Sequence, residues 1–522
     1  MALQPILQIL INMFYKIAEK IDYYLDRITM YRLLLYVLIA LVVLSSFLGI
    51  FNLLPYSFFS IILSATFLVL ISWISNEIFS KTFNAPINIE SVYITALILA
   101  LIISPAKNIN DYLFLAWAAI IASASKYILV LGKKHIFNPV VIAVFLTSLV
   151  INRSASWWVG TTILVPFVFV GGALVVKKTR RVDMVYGFIL TVLIESFLLT
   201  ILKGSNVTTV FQNIFLHTSL FFFAFIMLTE PLTSPSTKKM QIFYAILVGI
   251  LYSPQFHIGS LYFTPESALI IGNIFTYIVN PKEKLLLYFD QKYQIAPDVY
   301  DFIFKLTKIP SFIPGQYMEW TLPHKNPDER GNRRYFTIAS SPTENTLRLG
   351  IKFYQNGSSY KKAMLSLDNK TPLIGNMLAG DFVLPNNKNK KLVFVAGGIG
   401  ITPFRSIIKY LIDKNESRNI ILFYSNKYKN EIVYEDVFES AQTTLGIKTV
   451  YTLSDTASAP SNWLGKVGRI NGDMIKTEVP DYLERTFYLS GPHIMVTHFQ
   501  EVLKNMGIKK NKIKTDFFPG FV

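Results

Sequence analysis

The first half of this chain is a succession of apolar runs, and that feature limits its fold before any other. Runs of about 17–25 apolar residues can cross the hydrocarbon layer of a bilayer. Such runs recur near 33–54, 57–75, 92–106, 112–131, 139–151, 157–176, 184–202, 210–229, 241–258 and 264–280. The sequence therefore predicts a polytopic α-helical membrane domain of about ten spans. Composition agrees: 52% of the 522 residues are hydrophobic and mean hydropathy is +0.41, too apolar for an ordinary soluble protein.

Loop charges predict the orientation, because Lys and Arg gather on the cytoplasmic side of short loops. Lys16, Lys20, Arg27, Arg32, Lys81, Lys133, Lys134, Lys177, Lys178, Arg180, Arg181, Lys238 and Lys239 fall on one side, and only Lys107, Arg153 and Lys203 on the other. An even number of spans then places both termini, and everything after Lys282, in the cytosol. The net charge of +17 finds its sink in this basic rim, ahead of nucleic acid. Met1 to Met30 reads as an interfacial amphipathic helix, with no cleavable signal. The chain has no cysteine, which excludes disulfides, thiolate zinc sites and all-cysteine iron–sulfur clusters.

Pro105 and the pair Asn138-Pro139 interrupt two of the runs, as in broken or re-entrant helices whose freed backbone groups line a cavity. Asn138 is therefore a candidate binding residue; Thr233 is another, in LTEPLTSP, which as bare sequence reads equally as a helix stop and gains weight only from a membrane-subunit resemblance. Lys126, Glu195, Asn213, His217 and Glu266 are the polar groups within the spans.

From Tyr288 the texture changes to short alternating runs with polar turns, FIFKL, LRLGIKFY and DFVLP, which predict a small antiparallel β-barrel. The lysine-rich NNKNKK marks the next boundary. KLVFVAGGIGITPFRSIIKYL then reads as a buried strand, a tight glycine turn and an amphipathic helix. Gly397, Gly398 and Gly400 lack the Cβ that would keep phosphates away, and Thr402 and Pro403 open a helix whose free N–H groups favour anions. The strands NIILFYSNK, IKTVYTLSD and TFYLSGPHIMV extend the pattern to a parallel α/β sheet. The expected domains are 1–283 (membrane), 284–386 (barrel) and 387–522 (α/β).

RRYFTIASSP, GSSYKKAML, VAGGIGITPF, YLSGPHIMV and DFFPGFV, in that order, resemble the ferredoxin–NADP reductase superfamily over nearly all of the second half. The resemblance implies FAD on the barrel and NADH or NADPH on the α/β layer. Its Arg-x-aromatic-Ser/Thr signature, counted back from Thr337, falls on Arg334 and Phe336, with Tyr335 between them in the cofactor-binding set and Arg333 outside the signature. A guanidinium suits the flavin pyrophosphate, an aromatic face the isoalloxazine and a hydroxyl its reactive edge. The pyrophosphate loop maps to Gly357, Ser358 and Ser359. The nicotinamide-side Cys-Gly-Pro of the family is Ser490, Gly491 and Pro492 here, which retains size and loses sulfur. Phe517, Phe518 and Phe521 are candidates for the ring that shields the flavin, so the resemblance gives Thr337, Ser490 and Phe521 catalytic positions. Ser425, Lys427 and Lys429 could receive a 2′-phosphate; the choice between the two nicotinamides stays open.

SVYITALILALIISP, HIFNPVVIAVFL, GGALVVKK, MLTEPLTSPSTKKMQIFYAILVGILY and TPESALIIGNIF are similar to the family of related membrane subunits shared by the sodium-pumping NADH:quinone oxidoreductase and the Rnf complex. Those subunits carry FMN on a threonine in Asp-x-x-Ser-Gly-Ala-Thr. The matching stretch, SWWVGTT, keeps Gly160 and Thr162 but has Ser156, Val159 and Thr161 elsewhere, so a second flavin, FMN or riboflavin, is expected to be non-covalent.

The expected activity is a single-chain membrane flavoenzyme carrying electrons from cytosolic NAD(P)H through FAD and a membrane flavin to quinone or an outer acceptor, with Na+ or H+ translocation as an added property. A cation transporter regulated by an attached reductase is the alternative from another class, and a haem-less ferric reductase the alternative enzyme. Haem itself needs paired axial histidines on spans, and of six histidines only His217 lies within one.

Overall fold

The computed structural model describes residues 20–516 apart from 22–23, 26–27, 84–88, 132–133, 205, 254–255, 260, 281–284, 307–309, 326, 329–330, 356 and 370–372. The chain divides into two compact units, Met1–Glu283 and Lys284–Val522.

The described residues of the first unit form helices α1 (Met30–Ile50), α2 (Phe58–Thr82), α3 (Ile89–Ile102), α4 (Ile109–Ile128), α5 (Pro139–Val150), α6 (Val165–Thr179), α7 (Val182–Leu202), α8 (Val207–Leu216), α9 (Leu220–Phe222), α10 (Lys238–Tyr252) and α11 (Pro265–Val279). Among them four stretches are long and apolar enough to cross a membrane: α1, α2, α7, and α6 together with the short turn from Thr162. The ten runs read from sequence thus correspond to fewer full-length helices, and the reason is local. α3 and α5 have 14 and 12 residues, and a helix rises 1.5 Å per residue against a hydrocarbon layer of about 30 Å. The run 210–229 is a pair of segments, Val207–Leu216 and Leu220–Met227, bent by 56°. After the bend the backbone widens at Phe223–Met227, where the Leu228 N–H reaches back five residues to the Phe223 carbonyl. Such wide turns are frequent at functional sites.

The second unit contains two six-stranded sheets. The first is antiparallel, β1 (Leu285–Ala296), β2 (Val299–Lys305), β3 (Tyr317–Thr321), β4 (Arg333–Thr337), β5 (Leu347–Lys352) and β6 (Leu373–Ala379), in the order β4-β3-β6-β1-β2-β5. Trp320, Phe302, Phe304 and Leu349 fill its core. The sheet curls until β4 and β5 approach each other, where Ala339 N–H bonds the Arg348 carbonyl at 2.9 Å. Helix α12 (Ser359–Leu365) follows β5.

The second sheet comprises β7 (Leu392–Gly397), β8 (Ile420–Asn426), β9 (Lys448–Leu453), β10 (Lys466–Val467), β11 (Thr486–Ser490) and β12 (Ile513–Asp516). It is parallel throughout, in the order β10-β9-β8-β7-β11-β12. Helices α13 (Thr402–Asp413), α14 (Glu435–Leu445), α15 (Gly472–Glu478) and α16 (His493–Asn505) pack on it. All six residues of β7 are buried, as a central strand covered on both faces requires. The order reverses at β7, so its carboxyl end borders the crevice where open α/β sheets bind ligands.

Candidate active site

β4 pairs with β3 so that Arg334 lies opposite Trp320, and Thr337 opposite Tyr317. Alternation along the strand puts Arg334 and Phe336 on one face and Tyr335 and Thr337 on the other. Arg334 is only 2% exposed, and its guanidinium lies over the Tyr360 ring at 5.0 Å. Phe336 packs against the same ring at 6.1 Å. Burial pushes the Tyr360 hydroxyl well up, with the Arg334 charge opposing. On the other face the Tyr335 hydroxyl donates to Glu319 at 2.9 Å.

The expected phosphate loop leads into α12. Gly357 N–H closes a turn on the Tyr354 carbonyl at 2.9 Å. The Ser358 hydroxyl caps the helix by accepting the Lys361 N–H, and Ser359 turns to Asp328. The Ser359 amide donates to Asp328 Oδ2 at 2.9 Å.

The Thr337 hydroxyl donates to Asp516 Oδ2 at 3.0 Å across 179 residues of sequence. Asp516 sits in register with Ser490, and Ser490 with Ala396. One row at the carboxyl edge of the parallel sheet therefore carries the Thr337 contact and the Ser490 backbone together. Gly397 and Gly400 follow directly. A methyl on Gly400 would stand 2.5 Å from the Ser490 carbonyl oxygen and 2.6 Å from Gly491, and one on Gly397 would meet Met495 and Pro492. Gly398 has φ +52°, a conformation glycine adopts without strain. The Thr402 hydroxyl bonds back to the Ile399 carbonyl at 3.2 Å, and Pro403 occupies the first turn of α13, where its missing N–H costs nothing. Lys427 and Lys429 are exposed. Phe517, Phe518 and Phe521 lie outside the described residues.

Asp516 escaped the sequence reading, although it precedes the aromatic tail directly; only pairing β12 beside β11 brings it to Thr337. The polar seam between barrel and sheet was also unforeseen. Arg405 grips Glu344 with two bonds of 2.8 and 3.0 Å and the Ala339 carbonyl at 2.8 Å. Ser406 donates to the Ser340 carbonyl at 2.7 Å. Asp301 accepts from Arg348 at 2.6 Å and from the Tyr434 hydroxyl. Burial opposes ionisation of Glu344, but the Arg405 bonds and charge outweigh it and hold the carboxyl below its usual range. Burial pushes the Lys514 ammonium down where it rests on the Asp381 and Val383 carbonyls.

In the first unit, Asn138 and Thr233 meet on one carboxylate. Asn138 Nδ2 donates to Glu230 Oε2 at 2.7 Å and the Thr233 hydroxyl to the same oxygen at 2.8 Å. Asn273 completes the ring, accepting the Asn138 N–H at 2.8 Å and donating to the Thr233 carbonyl at 3.0 Å. Glu230 stands inside the LTEPLTSP stretch, yet its joining of two distant breaks needed the fold. Thr162 belongs to another group: its hydroxyl donates to the Leu216 carbonyl at 2.8 Å and lies 3.4 Å from His217 Nδ1. Nearby Trp157, at φ +50°, donates its indole N–H to the buried Glu266 at 2.6 Å.

Residues 394–501 match the oxidoreductase NAD-binding domain family. Among curated proteins, a flavohemoprotein of Bacillus cereus is 27% identical over 222 residues, 40% of this chain and 54% of the relative. The reductase subunit of a glycine betaine monooxygenase from Pseudomonas aeruginosa is 24% identical over 210 residues, 40% of this chain and 56% of the relative. This chain spans about half the length of the curated relatives it matches. Among solved structures, the cytochrome b5 reductase domain of Ulva prolifera nitrate reductase is 20% identical with a TM-score of 0.40, over 45% of this chain and 98% of that one. The residues present suit a dinucleotide flavin: a buried guanidinium beside a helix start, a hydroxyl at the sheet edge, and backbone approaches that a Cβ would close.

Proposed function

We propose that this chain is an integral membrane flavoprotein of the cytoplasmic membrane, taking reducing equivalents from cytosolic NAD(P)H and delivering them to quinone or an extracytoplasmic acceptor. The observation that carries the reading is the Thr337–Asp516 hydrogen bond beside Ser490, which joins the flavin-side strand to the nicotinamide-side edge. FAD, when bound, supplies the interchange of two-electron and one-electron chemistry.

In this reading Arg334 and the backbone at the start of α12 neutralise and orient the pyrophosphate. Thr337 presents its hydroxyl at the flavin edge in the rotamer that Asp516 selects. Gly397, Gly398 and Gly400 admit the NAD(P)H phosphates, while Ser490, Gly491 and Pro492 border the nicotinamide. The Arg405–Glu344 seam holds the two layers closed against water. A reductase subunit among the relatives favours a reductase half that feeds a separate acceptor, here the fused membrane half. There a ten-span domain with a second, non-covalent flavin remains the proposal, supported by the apolar helices, the Asn138–Glu230–Thr233 cluster and the strained Trp157 close to Thr162 in sequence. Redox-driven Na+ or H+ movement is part of it, because polar groups this buried among apolar helices mark substrate or ion paths.

Flavin extraction with and without acid precipitation, followed by anaerobic addition of NADH or NADPH, tests the reading. FAD and a second, acid-released flavin, bleached by one nicotinamide, are expected. FAD alone removes the membrane flavin; no FAD overturns the whole. Sealed vesicles that build no cation gradient on NADH addition would leave an electron conduit without pumping.

A further inference from the structure

Asp328 contacts both groups to which the dinucleotide reading gives the pyrophosphate, Arg334 and the start of α12. Its Oδ2 accepts the Ser359 amide N–H at 2.9 Å, and its Oδ1 lies 3.5 Å from Arg334 Nη2. Its own amide donates to the Ser359 hydroxyl at 2.8 Å, so carboxylate and backbone clasp one residue from both ends. His324 fixes the same hydroxyl. Its Nδ1 is 2.9 Å from the Leu322 carbonyl, which can only accept, so Nδ1 carries the proton and Nε2, 3.0 Å from Ser359 Oγ, accepts in the neutral ring.

From these contacts we infer that the Asp328 carboxylate is a built-in competitor for the pyrophosphate of FAD. The inference rests on the reading that Arg334 and the start of α12 hold that pyrophosphate. A guanidinium whose side chain is 3% exposed needs a counter-charge, since a buried unpaired ion is costly. Asp328 supplies one that can leave. Its side chain is 29% exposed, and the 3.5 Å separation is longer than the roughly 2.7–2.9 Å of a charge-assisted hydrogen bond. A phosphate oxygen offers the same acceptor geometry with more charge. Binding must therefore displace the carboxylate, and apparent affinity falls by the fraction of molecules in which it is displaced.

The test is FAD binding to the full-length chain in detergent after removal of its flavin, followed by quenching of FAD fluorescence. Asp328→Asn keeps both hydrogen bonds to Ser359 and deletes the charge. It should bind FAD about tenfold more tightly, as a competitor occupying about nine molecules in ten would require, and associate faster. Asp328→Ala provides a second readout in the same direction. Unchanged or weaker binding by both variants overturns the proposal, and weaker binding would make Asp328 a positioning residue for Arg334. Arg334→Ala separates the two ideas. If it keeps wild-type affinity, the flavin reading fails and the competitor with it. If it loses affinity while Asp328→Asn gains none, only the competitor fails.

Discussion

At the scale of single residues, a one-position shift decides the chemistry of β4. Arg333 and Arg334 are identical in type, but strand alternation sends only Arg334 onto Tyr360 and into the buried region beside Ser359. Arg334→Ala should lower FAD content of the purified chain more than tenfold while far-ultraviolet circular dichroism is unchanged; full flavination would refute the assignment. Asp516→Asn should retain FAD, because Asp516 acts through Thr337. It should slow NAD(P)H-dependent flavin reduction by about tenfold or more and alter the pH–rate profile without raising KM. A uniform loss of flavin in that variant would point to folding. Arg334 could be singled out in the sequence because the Arg-x-aromatic-Ser/Thr signature fixes its register against Thr337, and its burial on β4 is what the structure adds. Asp516 could not be, because its partner lies 179 residues away and no local periodicity encodes which strand ends the sheet.

At the scale of elements, the turn from β7 into α13 was legible in full, since a buried apolar strand, spaced glycines and an amphipathic helix each leave a local mark. What they touch was less so. Gly400 is required by its 2.6 Å approach to Gly491, a contact between two loops far apart in sequence. Gly400→Ala should cost about 1–3 kcal/mol through the forced shift and weaken NAD(P)H binding while leaving FAD bound, as titration of the flavinated chain would show. The seam between barrel and sheet gives a pH prediction. Glu344 ionises more readily than an ordinary glutamate because of Arg405. Its contribution is therefore complete above the unfolded value of about 4.3 and is lost as pH falls through the lower folded value. Glu344→Gln should cost about 3 kcal/mol near neutrality by stranding Arg405. Thermal melts from neutral to acid pH should show the gap between variant and wild type narrowing on acidification; a constant gap would count against the pair.

At the scale of the whole molecule, the sequence offers about ten apolar runs, while among the described residues four stretches, or five with the bent pair taken as one, have the length and apolarity to cross a bilayer. Prolines at Pro105, Pro139 and Pro265 mark the ends of α3, α5 and α11 in the sequence, whereas the 56° bend at 217–219 has no proline to announce it. The finding that Asn138 and Thr233 share Glu230 Oε2 reaches furthest. One oxygen serving two donors means that neither can be replaced without changing what the other meets. A double-mutant cycle on Asn138→Ala and Thr233→Val should show a coupling of about 0.5–3 kcal/mol, read from thermal stability in detergent; additive losses would mean that the carboxylate treats them separately. The two helix breaks, 92 residues apart between Asn138 and Glu230, are therefore expected to tolerate substitution jointly. A substitution tolerated at one break depends on the residue already present at the other.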